Sequence, residues 1–137
     1  MSGKVFLDTN VLIYFYSENE KTKRTTACKA LNDNDCVTST QTLSEASNVW
    51  FNKFKWDSNK IKDHIDNIES VCDDIAVVKK STIDKALNLK NKYNYSYYDS
   101  LILATALESG CSEIFTEDLH DGQIIEDTLQ VLNIFKA

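Results

Sequence analysis

Val5-Phe6-Leu7-Asp8-Thr9-Asn10-Val11-Leu12-Ile13 is the stretch on which the fold turns. Val5 to Leu7 is short and wholly apolar, which fits a strand buried on both faces. It stops at Asp8. The apolar run Val11 to Tyr16 then begins a short helix, with Asp8, Thr9 or Asn10 available as its cap. A buried strand that passes through an acid straight into a helix opens an α/β unit.

The same alternation continues outward. Thr22 to Leu31 reads as a helix, Asn32-Asp33-Asn34-Asp35 as a turn and Cys36 to Thr38 as a second strand. Thr42 to Phe54 is a helix with Leu43, Ala46, Trp50 and Phe54 on one face. Ser58 caps the next helix, striped by Ile61, Ile65, Ile68 and Val71. Ile75 to Val78 reads as a third strand. Thr82 to Tyr93 is helical, with Ile83, Ala86, Leu87 and Lys90 in register. Tyr97 to Ser109 is apolar nearly all round, as in a buried helix, and Gly110 stops it. Ile114 to Thr116 is a fourth strand, Asp118 to Gly122 a loop and Leu129 to Phe135 a last strand. Strands alternating with helices imply a mostly parallel sheet covered on both faces.

A length of 137 residues suits one domain, residues 1–137, with no linker and no internal repeat. Hydrophobic residues at 42% and charged residues at 26% are ordinary for a globular chain. No stretch approaches the roughly 20 apolar residues that span a membrane. The chain reaches its first strand by Val5 without the basic and apolar segments of a signal peptide, so a cytoplasmic location is expected. Cys28, Cys36, Cys72 and Cys111 form no Cys-x-x-Cys pair and read as small buried hydrophobes in a reducing compartment.

Four acids carry the chemistry: Asp8, Glu45, Asp99 and Asp118. Asp8 follows the first strand and Asp118 lies just past the fourth. Glu45 and Asp99 lie near helix starts. In open parallel sheets these positions share one edge, where ligands bind. Carboxylates gathered there repel one another unless protons or cations intervene, and hard divalent cations take oxygen ligands. A plainer reading stands beside this one. Thr42-x-x-Glu45 and Ser96-x-x-Asp99 fit capping boxes, and Asp8 fits a cap. A net charge of −6 does not by itself mark a nucleic-acid binder. Lys53, Lys55, Lys60 and Lys62, and again Lys79, Lys80, Lys85, Lys90 and Lys92, read as solvated helix faces that can meet phosphates.

With these motifs in hand, the chain resembles PIN-domain ribonucleases, and among them the VapC-type toxins of toxin–antitoxin pairs. The resemblance rests on Val5-Phe-Leu-Asp8-Thr9-Asn10-Val-Leu-Ile, on Leu43-Ser-Glu45, on Tyr98-Asp99-Ser-Leu-Ile-Leu-Ala-Thr-Ala and on Ile114-Phe-Thr116-Glu-Asp118-Leu-x-x-Gly122. It implies a three-layer α/β/α sandwich and Mg²⁺- or Mn²⁺-dependent cleavage of RNA. By position, Asp8, Glu45, Asp99 and Asp118 are the implied metal-binding acids, with Asn10 and Thr116 as polar supports. Asp121 is an extra acid in the last loop, a further ligand candidate, and Glu117 is expected to face away. Proteins of this kind usually dimerise and are capped by an antitoxin, so a homodimer and an antitoxin partner are expected.

No histidine is needed for such chemistry. His64 is expected at the surface, and His120 sits beside Asp118, where it can approach the substrate, but is not expected to be catalytic. The aromatic sets Tyr14 to Tyr16, Trp50 to Trp56 and Tyr93 to Tyr98 read as core or partner faces, or as platforms for bases. A non-toxin or catalytically inactive PIN-like module that binds RNA or protein is the competing reading. A phosphoacceptor receiver domain would also cluster acids, but no late-strand lysine accompanies them.

Overall fold

The computed structural model describes residues 3–136. The chain runs β1 (Lys4–Leu7), α1 (Thr9–Phe15), α2 (Lys21–Asp33), β2 (Cys36–Ser39), α3 (Thr40–Asn52) and α4 (Ser58–Val71). It continues with β3 (Asp74–Ala76), α5 (Lys80–Tyr93), α6 (Tyr97–Glu108), β4 (Cys111–Phe115), β5 (Ile124–Ile125) and β6 (Leu129–Leu132). The strands lie in the order β3-β2-β1-β4-β6-β5. Every neighbouring pair is parallel except β5 with β6.

Side-chain alternation along β1 divides the core. Phe6 packs with Val37, Ile114, Val131 and the α5–α6 side. Val5 and Leu7 pack with Trp50, Ile61, Ile68 and the α1–α4 side. Helices therefore cover both faces, giving the three-layer α/β/α sandwich of a mostly parallel sheet. No helix among the described residues is long and apolar enough to cross a membrane.

Several boundaries differ from the sequence reading. The third strand is Asp74–Ala76 and the last ends at Leu132. The two-residue β5 offers too short a run to signal itself. Asp57, not Ser58, caps α4 by accepting from Lys60 N. On α5 the buried stripe is Thr82, Ala86 and Leu89, while Ile83 and Leu87 stay exposed. His64 is half-buried, 4.5 Å from the Tyr16 ring and 4.5 Å from Trp56. Gly110 follows α6 at φ 75, the left-handed turn expected of a helix stop. All four cysteines are free, with Cys36, Cys72 and Cys111 buried and Cys28 half-exposed.

Candidate active site

Strands β1 and β4 end together, Leu7 beside Phe115. Asp8 N then donates to Phe115 O at 3.0 Å. Asp8 and Thr116 thus lie side by side just past the carboxyl edge of the sheet. Thr116 Oγ1 donates to Asp8 Oδ2 at 2.7 Å and accepts from Asp118 N at 3.1 Å. Asn10 Nδ2 donates to Asp118 Oδ2 at 3.1 Å. Asp8 also caps α1, its Oδ1 accepting from Thr9 N at 2.7 Å. A circuit of hydrogen bonds therefore joins Asp8, Thr116, Asp118 and Asn10.

Glu45 enters from α3. That helix is capped by Ser39 and Thr42, whose side chains each accept from the other's backbone N–H. Ser39, not Thr42, is the cap, so Glu45 takes no part in a capping box. Its carboxylate instead accepts from Thr9 Oγ1 at 2.7 Å and from Gln41 Nε2 at 3.1 Å. Gln41 Nε2 reaches Tyr98 O at 3.2 Å as well, tying the start of α3 to the start of α6. Asp99 sits in the first turn of α6, where Ser96 Oγ caps the helix by accepting from Asp99 N.

The acids sense one another. Burial pushes the Asp8 carboxyl from 3.8 to about 6. Bonds from Thr116 and Thr9 oppose that rise, and the charges of Asp118 and Glu45 add to it. Asp99 is also raised, first by burial and then by Asp118 and Glu45, against a lowering contact with Ser96. Asp8, Glu45, Asp99 and Asp118 therefore form one electrostatic group. Asp121 stands apart. Its carboxylate accepts from Asn133 N at 2.8 Å and lies 3.4 Å from Lys136 Nζ, which hold its pKa down. Glu117 turns to Tyr14 and Lys23, at 2.6 and 2.7 Å.

The donor set suits a hard cation in its chemistry. It offers carboxylate and amide oxygens and no sulfur. Among the described residues, three buried polar atoms have no hydrogen-bond partner: Asn10 Oδ1, Gln41 Oε1 and Ser100 Oγ. Each lies in the first turn of α1, α3 or α6, the helices whose starts carry Asp8, Glu45 and Asp99. Such acceptors fit the waters of a hydrated ion. The arrangement is open, however. Among the described residues no three acids, histidines or cysteines stand close enough to enclose an ion. Mg²⁺ keeps several waters and needs only one or two direct carboxylates, so an open set is compatible with it.

Two supports escape a reading of the acids alone. Thr9 reads as a cap candidate, yet its hydroxyl serves Glu45 across the fold. Gln41 lies one helical turn before Glu45, a spacing that does signal contact.

The family model of the PIN domain matches residues 5–120. The chain belongs to the PIN-domain family. The matched span takes in Asp8, Glu45, Asp99 and Asp118 and stops before Asp121. Among solved structures, the chain is similar to a toxin–antitoxin complex from Klebsiella pneumoniae, at 22% identity and TM-score 0.73, covering 97% of this chain and 99% of that one. It is also similar to VapC20 of Mycobacterium tuberculosis, a sarcin-ricin loop cleaving toxin, at 14% identity and TM-score 0.65, covering 80% and 86%. VapBC2 from Rickettsia felis, bound to a promoter DNA fragment, matches at 14% identity and TM-score 0.65, covering 95% and 99%. At these identities the likeness is one of fold. No curated protein matches the chain in sequence.

Proposed function

We propose that this PIN-domain chain is the toxin of a toxin–antitoxin pair, an endoribonuclease that hydrolyses RNA phosphodiester bonds with Mg²⁺ or Mn²⁺. The observation that carries this reading is the gathering of four acids at the carboxyl edge of the sheet, within the span matched by the family. Asp8, Glu45, Asp99 and Asp118 would hold the ion. When bound there, such an ion lowers the pKa of a coordinated water and offsets charge on the phosphoryl oxygens.

The chain's own residues prepare that edge. Thr116 fixes Asp8 and the Asp118 backbone at once, which holds the two carboxylates in a set relation. Asn10 aligns Asp118, and Thr9 and Gln41 align Glu45. The burial that raises Asp8 disfavours its bare charge, so a cation in place of a proton gains at this position. Asp121, held by Asn133 and Lys136, stays outside the set. The chain works in the cytoplasm as a homodimer restrained by an antitoxin protein.

The test is cleavage of a mixed RNA pool with Mg²⁺, with EDTA, and by Asp8→Asn and Asp99→Asn. Cleavage is expected only with metal and only by the unsubstituted chain. Undiminished cleavage in EDTA would refute the metal mechanism. Growth arrest on expression, abolished by Asp8→Asn, checks the toxin assignment.

A further inference from the structure

A cavity of about 570 Å³ opens between the turn that joins α5 to α6 and the loop that follows β4. Tyr93, Asn94 and Tyr95 line one side, His120 and Gln123 the other. Both walls are continuous with the proposed site. The first runs through Ser96 into the start of α6, which bears Asp99. The second begins two residues after Asp118. The two walls of the cavity are thus chain neighbours of Asp99 and Asp118, two of the four acids.

The walls are fixed before any ligand arrives. Tyr95 Oη accepts from His120 N at 3.0 Å and donates to Gln123 Oε1. Tyr93 Oη accepts from Glu126 N at 2.9 Å. Gln123 N closes a turn on His120 O at 3.1 Å, and Gly122 N donates to Val131 O at 2.7 Å. Asn94 ends α5 at φ 64, a left-handed position that sets its place on the rim. Ordering entropy is thus largely spent in folding rather than in binding.

The chemistry of the lining selects the ligand. No lysine or arginine lines the cavity, and its one carboxylate, Asp121, is occupied by Asn133 N and Lys136. The charges around the lining are already paired, Asp121 with Lys136, and Lys92, which stands over the Tyr93 ring, with Glu126. The walls supply the aromatic side chains of Tyr93, Tyr95 and His120, the two tyrosines also packing against the core, and the amides of Asn94 and Gln123. Because Gln123 Oε1 already accepts from Tyr95, its amide N–H₂ remains as a donor. Rings for stacking and amides for edge hydrogen bonds suit a neutral, planar heterocycle. The cavity is open to solvent rather than enclosed, which leaves room for the strand on either side of a single base.

We propose that this cavity receives one unpaired nucleobase of the RNA, next to the bond that is cut, and that Asn94 and Gln123 read its edge. The proposal rests on the ribonuclease reading for its substrate but not for its test. Backbone amide resonances are followed in the metal-free protein while adenosine, guanosine, cytidine and uridine are titrated separately. Shifts at Asn94, Gly122 and Gln123 are expected, larger for one nucleoside than for the rest. In parallel, the ends made from a random RNA pool are sequenced for the unsubstituted chain, Asn94→Gly and Gln123→Ala. Glycine keeps the left-handed turn while removing the amide. Preference at one position beside the cut should fall about tenfold, the worth of one lost hydrogen bond. Nucleoside shifts absent from these residues, together with unchanged cleavage ends, would overturn the proposal. If the unsubstituted chain cuts no RNA, the ribonuclease reading fails. The titration then decides the cavity alone.

Discussion

Asp8 shows how one residue joins stability to chemistry. It is 3% exposed and carries a carboxyl raised from 3.8 to about 6. A carboxyl with a raised folded pKa binds its proton more tightly in the native than in the unfolded chain. Its contribution is therefore most favourable below the ordinary carboxylate range, and it is lost as pH rises toward about 6. At about 1.4 kcal/mol per pH unit, the full cost above that point is on the order of 3 kcal/mol. Metal-free Asp8→Asn should match the unsubstituted chain near pH 4 and exceed it in stability by up to that amount at pH 7. Urea unfolding in EDTA across this range checks it. A gap between the two proteins that does not vary with pH would contradict the burial argument. Glu117 and Asp121, whose carboxyls are held low, tilt the curve the other way but are common to both proteins. Thr116 supplies the converse case. It is fully buried and serves both Asp8 Oδ2 and Asp118 N. Thr116→Val leaves the buried Asp8 Oδ2 without this donor and the part-buried Asp118 N without this acceptor, and should cost about 1–3 kcal/mol by the same urea assay. RNA cleavage should fall with it, because Asp8 and Asp118 lose their shared hydroxyl.

Elements place these residues, and one contact between elements governs Asp118. Glu117, next to it in the chain, is gripped by Tyr14 of α1 and Lys23 of α2, with Lys23 Nζ also 4.6 Å from the Tyr14 ring centroid. The grip holds Glu117 against α1 and α2, while Asn10 bonds the neighbouring Asp118. Lys23→Met should barely change global stability, since a partly exposed ion pair contributes little. It should, however, speed hydrogen exchange in the loop after β4 and lower the cleavage rate, with Lys23→Arg restoring both. Equal exchange in all three proteins would show that Asn10 suffices. None of this was legible in the sequence, where Lys23 is one lysine in a polar helix. What could be read were the elements with undiluted patterns. Val5 to Leu7 and Ile114 to Phe115 are apolar on both faces because helices cover both, so their strands announce themselves. α5 misled because Ile83 and Leu87 imitate a buried stripe. The helix packs instead through Thr82, Ala86 and Leu89, which include small side chains. The cap of α3 was obscured by the run Thr38-Ser39-Thr40, which offers several caps, and only the observed bonds single out Ser39. The acids themselves were legible because topology sends the ends of parallel strands and the starts of their helices to one edge. Their supports were legible only in part. A contact such as Thr9 with Glu45, 36 residues apart, leaves no local pattern.

At the scale of the whole molecule, the four acids are a strain that the fold carries and that a cation would relieve. Burial and mutual repulsion raise both Asp8 and Asp99. An ion that binds the folded chain and not the unfolded one stabilises it by mass action, by about 2.7 kcal/mol at a hundred times its dissociation constant. Mg²⁺ or Mn²⁺ should therefore raise the melting temperature of the proposed enzyme. Asp8→Asn and Asp99→Asn should each shrink that rise, as each removes a carboxylate. The dependence on pH follows from Asp8. Ligands must shed their protons to bind a metal, so affinity falls where Asp8 is protonated. The metal-induced rise should be larger at pH 7.5 than at pH 5.5, on opposite sides of the value near 6. Calorimetry at both pH values, with metal and with EDTA, makes the comparison. A rise equal at the two pH values would place the ion away from Asp8. A rise that survives both substitutions would place it away from the sheet edge altogether, leaving the gathered acids to be explained by the folding of the helix starts alone.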